Sequence, residues 1–474
     1  MSTTKKSLLT ILSLILATTA ALAAIGMRGS ATAPPLAAPT LTGDERVTVS
    51  TEVVQDKVLK GGDGRVTVSL NLTAARLPLI DSDPVPAADL VIVLDRSGSM
   101  EGQKLSDVRQ AVIGLLDQLE QDDRLALVTY SNGVQTQSAL APMNEANRRR
   151  LTAVVERVHA GGGTNLGGGL KRGMDLLMQT TGTLRQRKVI LISDGLANQG
   201  ITDPDALGRI ASAAVENRFS ISTVGVGLEF NEMLMTAIAD QGAGHYTFLE
   251  DPRVFAQVFE SEFQATRHVA AADVNIRIPL EPGVRLEAAG GYPIRHEEGS
   301  AIIHPGNLLS GQSKTLYLTF QVPTTEEKEI VMGRVQVRYR HNDQTSTVDA
   351  ARPLTVACVP DPAAVMASIK KDIWADQVVQ ESFSRLKEAV AADIRDGDPT
   401  RAQARIHEYE AKQEAINSAV GSAKVAENLE TDVQALRQQV DETFSGTPAA
   451  VAEKRKQVSK ALQYDGYKIR RDKK

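Results

Sequence analysis

The segment VIVLDRSGSM, residues 91–100, is an apolar run followed by oxygen-bearing side chains at every second position. These side chains belong to Asp95, Ser97 and Ser99. Two other loops carry matching groups: Thr164 lies between the glycine runs of HAGGGTNLGGGL, and Asp194 follows the run VILIS. Carboxylate and hydroxyl oxygens are the ligands that Mg²⁺, Ca²⁺ and Mn²⁺ prefer. The five side chains therefore predict a divalent-metal site if the fold brings them together.

The balance of charge in this set indicates what the metal would do. Two carboxylates neutralise a divalent cation only once, and hydroxyls add ligands without adding charge. The ion would keep Lewis acidity and a water-filled position that is open to a carboxylate from another molecule. The alternative is that DRSGSM is a tight turn whose aspartate and serines cap the helix predicted from Lys104.

The surrounding pattern indicates how these loops are positioned. From Leu90 to about residue 265, strand-like segments alternate with helix-like ones; the strand-like segments are DLVIVLD, RLALVTYS, KVILISD, SISTVGVG and GHYTF. Residues 104–119 have apolar side chains at three- and four-residue steps, which is typical of a helix. This alternation predicts a mostly parallel sheet with helices on both faces. Ligands bind such sheets outside the carboxyl ends of the strands, where the strand order reverses.

Strand-like segments also flank the α/β region. Residues 44–80 contain RVTVSTEVV and RVTVSLNLT, and the later ones are VNIRIPL, AIIHPG, KTLYLTFQV, IVMGRVQVRYR and RPLTVACV. Their pattern predicts an antiparallel β-sandwich. The two N-terminal segments have no sheet of their own, so we expect them to join the later strands. The α/β domain would then be an insertion in the sandwich.

The C-terminal part has a helical pattern. Helices are predicted to start at Asp361-Pro362 and Asp398-Pro399, because aspartate caps a helix and proline suits its first turn. Apolar stripes over residues 379–394 and 425–444 predict helices packed on each other or on the neighbouring domain, with a partner-binding coiled coil as the alternative. The basic tail YKIRRDKK is interpreted as a solvated end.

The first residues predict export. Lys5 and Lys6 precede LLTILSLILATTAALAAI, which contains Ala21-Leu22-Ala23 near its end. These are the parts of a secretory signal, and the stretch is also long enough to remain as a membrane anchor. The chain would be periplasmic, extracellular or anchored to a membrane and facing outside. Its net charge of −5 gives no electrostatic support for a nucleic-acid role.

The patterns together divide the chain into six parts. They are a signal peptide or anchor at 1–25, a proline- and alanine-rich linker at 26–43, N-terminal strands at 44–85, the α/β domain at 86–266, the β-sandwich at 267–360 and a helical region at 361–474.

The motif DRSGSM, Thr164 in its glycine-rich loop and LISDG resemble the metal-ion-dependent adhesion site of von Willebrand factor type A domains. The resemblance covers about residues 88–265 and implies a doubly wound, Rossmann-like fold. It implies Ser97, Ser99 and Thr164 as direct ligands, and Asp95 and Asp194 as ligands that often act through water. It also implies Mg²⁺ as the usual ion and a partner's Glu or Asp that completes the coordination, while the ligand types leave Mn²⁺ or Ca²⁺ as alternatives. The order of the flanking β-regions is similar to that of bacterial exported proteins related to inter-alpha-trypsin inhibitor heavy chains.

Enzymatic alternatives lack their motifs. The segment GGGTNLGGGLK has no G-K-[ST] ending, His296 and His407 begin no H-E-x-x-H motif, and neither Ser97 nor Ser99 lies in G-x-S-x-G. We therefore expect a non-enzymatic, exported adhesion or scaffold protein that binds an acidic residue of a partner protein through the metal. The alternative is an envelope assembly factor for other exported or membrane proteins, which acts through the C-terminal helices while the metal site is regulatory.

Overall fold

The structure is a computed structural model that describes residues 46–76, 87–180, 185–250, 257–258, 263, 268–341 and 344–471. The strands are β1 (Val47–Val53), β2 (Lys57–Leu59), β3 (Arg65–Ala74), β4 (Ala88–Asp95), β5 (Arg124–Tyr130), β6 (Val134–Pro142), β7 (Gln186–Ser193), β8 (Ser220–Val226), β9 (Ala243–Leu249), β10 (Val269–Pro279), β11 (Arg285–Ala289), β12 (Ile294–Glu297), β13 (Ser300–Leu309), β14 (Ser313–Gln321), β15 (Glu329–Gly333), β16 (Gln336–His341), β17 (Gln344–Asp349) and β18 (Leu354–Val359). The helices are α1 (Gln103–Gln118), α2 (Glu145–Glu156), α3 (Leu166–Met178), α4 (Pro204–Glu216), α5 (Glu232–Gln241), α6 (Pro362–Ala367), α7 (Lys371–Gln377), α8 (Phe383–Asp396), α9 (Pro399–Val420), α10 (Ala423–Glu427), α11 (Gln434–Thr443) and α12 (Pro448–Arg470).

The α/β domain is built on one six-stranded sheet. Its strand order is β6-β5-β4-β7-β8-β9, and every neighbouring pair except β5 and β6 is parallel. The chain therefore winds outward from β4 to β6 on one side and from β7 to β9 on the other. Strand order reverses between β4 and β7, so the loops that follow these two strands share one crevice. The predicted doubly wound sheet is confirmed.

Both faces of this sheet are covered, which explains the uninterrupted apolar run of β4. Leu90, Ile92 and Leu94 belong to a core that includes helix α1. Val91 and Val93 point to the other face and belong to a core with helices α3, α4 and α5. A strand buried on both faces is apolar along its central part: all eight residues of β4 are buried, and the five from Leu90 to Leu94 are apolar.

The flanking strands form three sheets around one apolar core. Strand β3 pairs with β1 and with β14, so the N-terminal strands join the later ones and the α/β domain is inserted, as predicted. One detail of the prediction was wrong: IVMGRVQVRYR is not a single strand but β15 and β16, which lie in different sheets. The first strand ends at Gly333. A Cβ atom at this position would lie 2.2 Å from the carbonyl oxygen of Pro279.

The C-terminal helices pack around a shared apolar core, as the stripes predicted. Helices α6 and α9 begin at the predicted Asp-Pro pairs, where Asp361 and Asp398 cap the first turn. A π-helical turn, Val378–Ser382, joins α7 to α8, and a second, Asn428–Val433, joins α10 to α11. The extra residue per turn shifts the stripe, so that Val378 rather than Val379 is fully buried.

The basic tail is not a solvated end, so that interpretation was wrong as far as residue 471. Helix α12 continues to Arg470, and Tyr467 packs edge-on against Tyr246 of β9 with 5.5 Å between ring centroids. Arg471 is buried over the ring of Tyr292. Aromatic residues of α12 complete the core of the α/β domain. Burial of these rings stabilises the packing of α12 more than the neighbouring charged residues oppose it.

The predicted leader and linker, residues 1–43, lie outside the described residues. Within the described ranges, no helix combines the length and the apolar character needed to cross a bilayer.

Candidate metal centre

Asp95 is the last residue of β4 and is fully buried. Its Oδ1 atom accepts a hydrogen bond of 2.8 Å from the backbone N–H of Ser97, and its Oδ2 atom accepts one of 2.7 Å from the hydroxyl of Ser193. The loop after Asp95 is held by the glycine-rich loop, because Gly98 N–H donates to the carbonyl of Gly162 at 3.0 Å. The strand and the two loops therefore fix the carboxylate and both serines in one place.

The serines connect the two strand ends. Their hydroxyl oxygens lie 3.1 Å apart, and Ser99 Oγ donates to Asp194 Oδ1 at 2.7 Å. Asp194 follows the last residue of β7, and its side chain is fully buried. The predicted neighbourhood of Asp95, Ser97, Ser99 and Asp194 is thus observed, and it arises because β4 and β7 are adjacent parallel strands.

Thr164 completes the cluster from the glycine-rich loop. Its backbone N–H donates to Asn198 Oδ1 at 2.9 Å, and Gly163 N–H donates to Asn132 Oδ1 at 2.6 Å. Asn165 then caps helix α3 by accepting from Gly168 N–H at 3.0 Å. The side chains of these three asparagines therefore fix the backbone of the glycine-rich loop. The sequence did not indicate these three asparagines, because each accepts from a backbone N–H, and Asn132 and Asn198 are far in sequence from their partners.

The three hydroxyls converge on one point beside Gly195. A Cβ atom built on this glycine would lie 3.1 Å from Ser99 Oγ, 3.5 Å from Thr164 Oγ1 and 4.0 Å from Ser97 Oγ. Because Gly195 has no side chain, there is space beside the hydroxyls. Any larger residue would fill part of this space. This space, with three hydroxyl oxygens around it and the Asp194 carboxylate hydrogen-bonded to Ser99, fits a small hard cation.

Lys104 of α1 also reaches the cluster and was missed from the sequence. Its ammonium contacts Asp194 Oδ2 at 2.6 Å and the carbonyl of Ser99 at 3.4 Å. The only sequence signal was its position nine residues after Asp95, in the first turn of the helix that follows the loop. It supplies positive charge next to the carboxylate of Asp194.

Burial raises the pKa of the Asp95 carboxyl above its ordinary value. Hydrogen bonds from Ser193 and Ser97 oppose this rise, and the negative charge of Asp194 adds to it. The ionised form of Asp95 is therefore costly in the protein alone, and a bound cation would stabilise it. Within the described residues, no group of three or more His, Cys, Asp or Glu side chains is placed to hold a metal, and this cluster itself combines two carboxylates with hydroxyls.

Residues 89–261 match the family model described as von Willebrand factor type A domain. The chain contains a von Willebrand factor type A domain. Domains of this family commonly bind a divalent metal ion at their metal-ion-dependent adhesion site. They also commonly mediate contacts between proteins.

Relatives of the chain agree with the predicted resemblance. The chain is 26% identical over 288 residues to the uncharacterized protein sll0103 of Synechocystis sp., covering 58% of this chain and 67% of that protein. It is 25% identical over 236 residues to inter-alpha-trypsin inhibitor heavy chain H1 of Mesocricetus auratus, covering 48% of this chain and 25% of the relative. The chain thus spans only a quarter of the heavy chain's length.

The fold of nearly the whole chain is also found in a solved structure. A von Willebrand factor type A protein from Catenulispora acidiphila superimposes with a TM-score of 0.65 at 17% identity, covering 90% of this chain and 98% of that one. The likeness extends beyond the type A domain, and at this identity it concerns the fold alone.

Replacing Gly195 by alanine is expected to weaken Mg²⁺ binding by the type A domain about tenfold or more, because the new methyl group would occupy the space beside the three hydroxyls. Titration calorimetry with MgCl₂ measures this effect. Gly114→Ala in α1 is the matched control, because a Cβ there has no neighbour within 4 Å. Equal affinity of Gly195→Ala and the wild type would place the metal elsewhere.

Replacing Lys104 by methionine is expected to tighten Mg²⁺ binding roughly tenfold, because an ammonium on Asp194 repels an incoming cation. Methionine keeps an apolar chain of similar length beside Gly227, which lies close to the Lys104 side chain. Lys104→Arg, which keeps the charge, serves as the control and should bind Mg²⁺ like the wild type. Weaker binding by Lys104→Met would mean that the ammonium helps to organise the site instead.

Proposed function

We propose that this protein is an exported, non-enzymatic adhesion or scaffold protein. Its type A domain would hold a divalent cation, Mg²⁺ in the first place and Mn²⁺ or Ca²⁺ as alternatives, and bind an acidic residue of a partner protein through it. The observation that carries this proposal is the convergence of three hydroxyls on one point beside Gly195, next to two buried carboxylates. Export is proposed from the basic and apolar leader of the sequence.

Each side chain has a role that its position supports. Ser97, Ser99 and Thr164 would supply neutral oxygens directly to the ion, since their hydroxyls surround the same point. Asp95 and Asp194 would balance its charge and orient bound water. Because two carboxylates leave the site without excess negative charge, a further carboxylate from a partner is favoured.

The comparisons support the interaction part of this proposal. Type A domains commonly act in protein–protein contacts, and this chain shares nearly half its length with an inter-alpha-trypsin inhibitor heavy chain. The partner's identity is a separate question, because the chain covers only a quarter of that relative.

The alternative function, an envelope assembly factor working through the C-terminal helices, has less support. Their apolar stripes are buried in a shared core, and α12 also packs against the type A domain. The helices therefore contribute to the stability of the whole protein, and deleting residues 361–474 would expose the cores that they cover.

The proposed function is tested with the full chain and its Asp194→Ala variant. Calorimetry with MgCl₂ should give saturable binding to the wild type and none to the variant. Envelope proteins retained by the wild type in MgCl₂ should be released by EDTA and should not bind the variant. Retention of the same proteins by Asp194→Ala in excess EDTA would exclude the metal-dependent mechanism.

A further inference from the structure

Two exposed apolar side chains lie in one groove, which reaches the chain segment that follows Asp194. Leu196 is 58% exposed and follows Asp194 by two residues, and Met233 of α5 is 53% exposed. Exposed apolar side chains that share a groove rimmed by polar residues are a feature of binding sites. Both line the same groove, which encloses about 530 Å³.

The groove, here called the α12 groove, lies between the type A domain and the C-terminal helices. One wall holds Leu196 together with Leu228 and Met233, and the other holds Arg455 and Lys456 of α12. Lys104, which contacts Asp194, also lies against Gly227, the residue that precedes this apolar wall. One end of the groove, at Leu196, is therefore two residues along the chain from Asp194.

The charges of the α12 groove favour an acidic occupant. Its cationic side chains are Arg395, Arg455, Lys456 and Lys460, and its carboxylates are Glu229 and Glu232. Glu232 is shared by Arg395 and Lys460, each at 2.7 Å, and Glu229 contacts Lys456 at 2.7 Å. Arg455 donates to the backbone carbonyls of Ile394 and Arg395, which carry no formal charge. The groove therefore has an excess of positive charge.

We propose that the α12 groove is the second half of the partner site. It would take a partner segment that has a carboxylate at the metal, a large apolar side chain against Leu196 and Met233, and a second carboxylate beside Arg455 and Lys456. This inference rests on the proposed function, because the metal would hold the first carboxylate.

This arrangement would supply the specificity that a metal–carboxylate bond lacks. Any accessible Asp or Glu can reach a metal ion, whereas an apolar contact and a second charge select a short sequence pattern. The apolar contact also adds affinity, because burying one large apolar side chain corresponds to about tenfold or more in binding.

The test uses random short peptides displayed on phage, selected on the immobilised full chain in MgCl₂ and eluted with EDTA. The enriched peptides should carry Asp or Glu close to Leu, Ile, Met or Phe, followed by a second acid. Synthetic versions of these peptides should bind Met233→Glu and Lys456→Glu about tenfold more weakly than the wild type. Met178→Glu is the matched control and should bind like the wild type, since Met178 is 39% exposed and ends α3.

The outcomes separate the two proposals. If EDTA releases peptides that bind Met233→Glu and Lys456→Glu as tightly as the wild type, the α12 groove takes no part and the metal-dependent function stands. Equal weakening by Met178→Glu would also overturn the role of the groove. If EDTA releases no peptide from the wild type, the proposed function and this inference both fail.

Discussion

Asp95→Asn is expected to abolish Mg²⁺ binding, with a loss of at least about 100-fold, and to stabilise the metal-free protein by on the order of 1 kcal/mol. Asparagine removes the negative charge that a cation needs, while its amide oxygen can still accept from Ser97 N–H. It also removes a charge that is disfavoured in the folded protein, because burial raises the pKa of Asp95. Calorimetry measures the first effect and urea denaturation in EDTA the second.

The stability difference should depend on pH. The pKa of Asp95 is higher in the folded protein than its ordinary value, so folding favours the protonated carboxyl. Wild-type stability is therefore lowered as pH rises through the folded pKa, and the advantage of Asp95→Asn should be full at neutral pH. It should disappear in acid, below the pKa of the unfolded chain. Asp117→Asn, at an exposed position of α1, controls for the change in net charge.

The effect of Mg²⁺ on the melting temperature tests the same variant in a second way. A metal that binds the folded state raises the melting temperature of the wild type, and Asp95→Asn should show no such rise. If Mg²⁺ stabilises Asp95→Asn as much as the wild type, Asp95 is not part of the metal site.

The second large effect concerns the contact between α12 and the type A domain. Lys460→Met is expected to lower the free energy of unfolding by about 3 kcal/mol, because it leaves the carboxylate of Glu232 buried with one cation fewer. The side chains of Lys460 and Glu232 are each only 6% exposed, and they lie 2.7 Å apart. The Lys460 ammonium also donates to the carbonyl of Phe230 at 2.6 Å. Urea denaturation measures the loss.

Two variants test this explanation. Lys460→Met combined with Glu232→Gln should recover part of the stability, since no buried charge is then left with too few partners. Lys456→Met should change stability little, because Lys456 and Glu229 form an ion pair that is more than half exposed. If Lys456→Met lowered the free energy of unfolding as much as Lys460→Met, the effect would come from any substitution in helix α12 and not from the buried ion pair.

The buried ion pair of Lys460 and Glu232 also predicts that the protein loses stability in acid. Burial by itself raises the pKa of Glu232, but the charge and hydrogen bond of Lys460, with further hydrogen bonds that include Arg395, outweigh it, so the pKa is lowered. Its contribution to stability is therefore present above the unfolded pKa and is lost as pH falls through the folded one. Below about pH 4 the wild type should lose stability more steeply than the double variant.

The sequence alone indicated the elements that carry the metal centre. Asp95, Ser97 and Ser99 lie within five residues of the chain, and the segment Leu90–Leu94 of β4 is apolar throughout, as a strand buried on both faces requires. The glycines around Thr164 and the apolar run before Asp194 gave signals of the same local kind. Such features depend on neighbouring residues, so the doubly wound sheet and its insertion between β-regions could be predicted.

Only the tertiary structure showed the contacts between residues that are far apart in the chain. Lys104 and Asp194 are separated by 90 residues, and Lys460 and Glu232 by 228. No periodicity reports such a pair, because Lys104, Lys460 and Glu232 each resemble ordinary surface charges and the residues around Asp194 do not indicate its distant partner. The tail was misinterpreted for the same reason: Tyr467 and Arg471 are buried by β9 and by Tyr292, which approach only after the chain has folded. Local pattern thus determined which residues could bind a metal, and long-range packing decided which charges and apolar surfaces surround them.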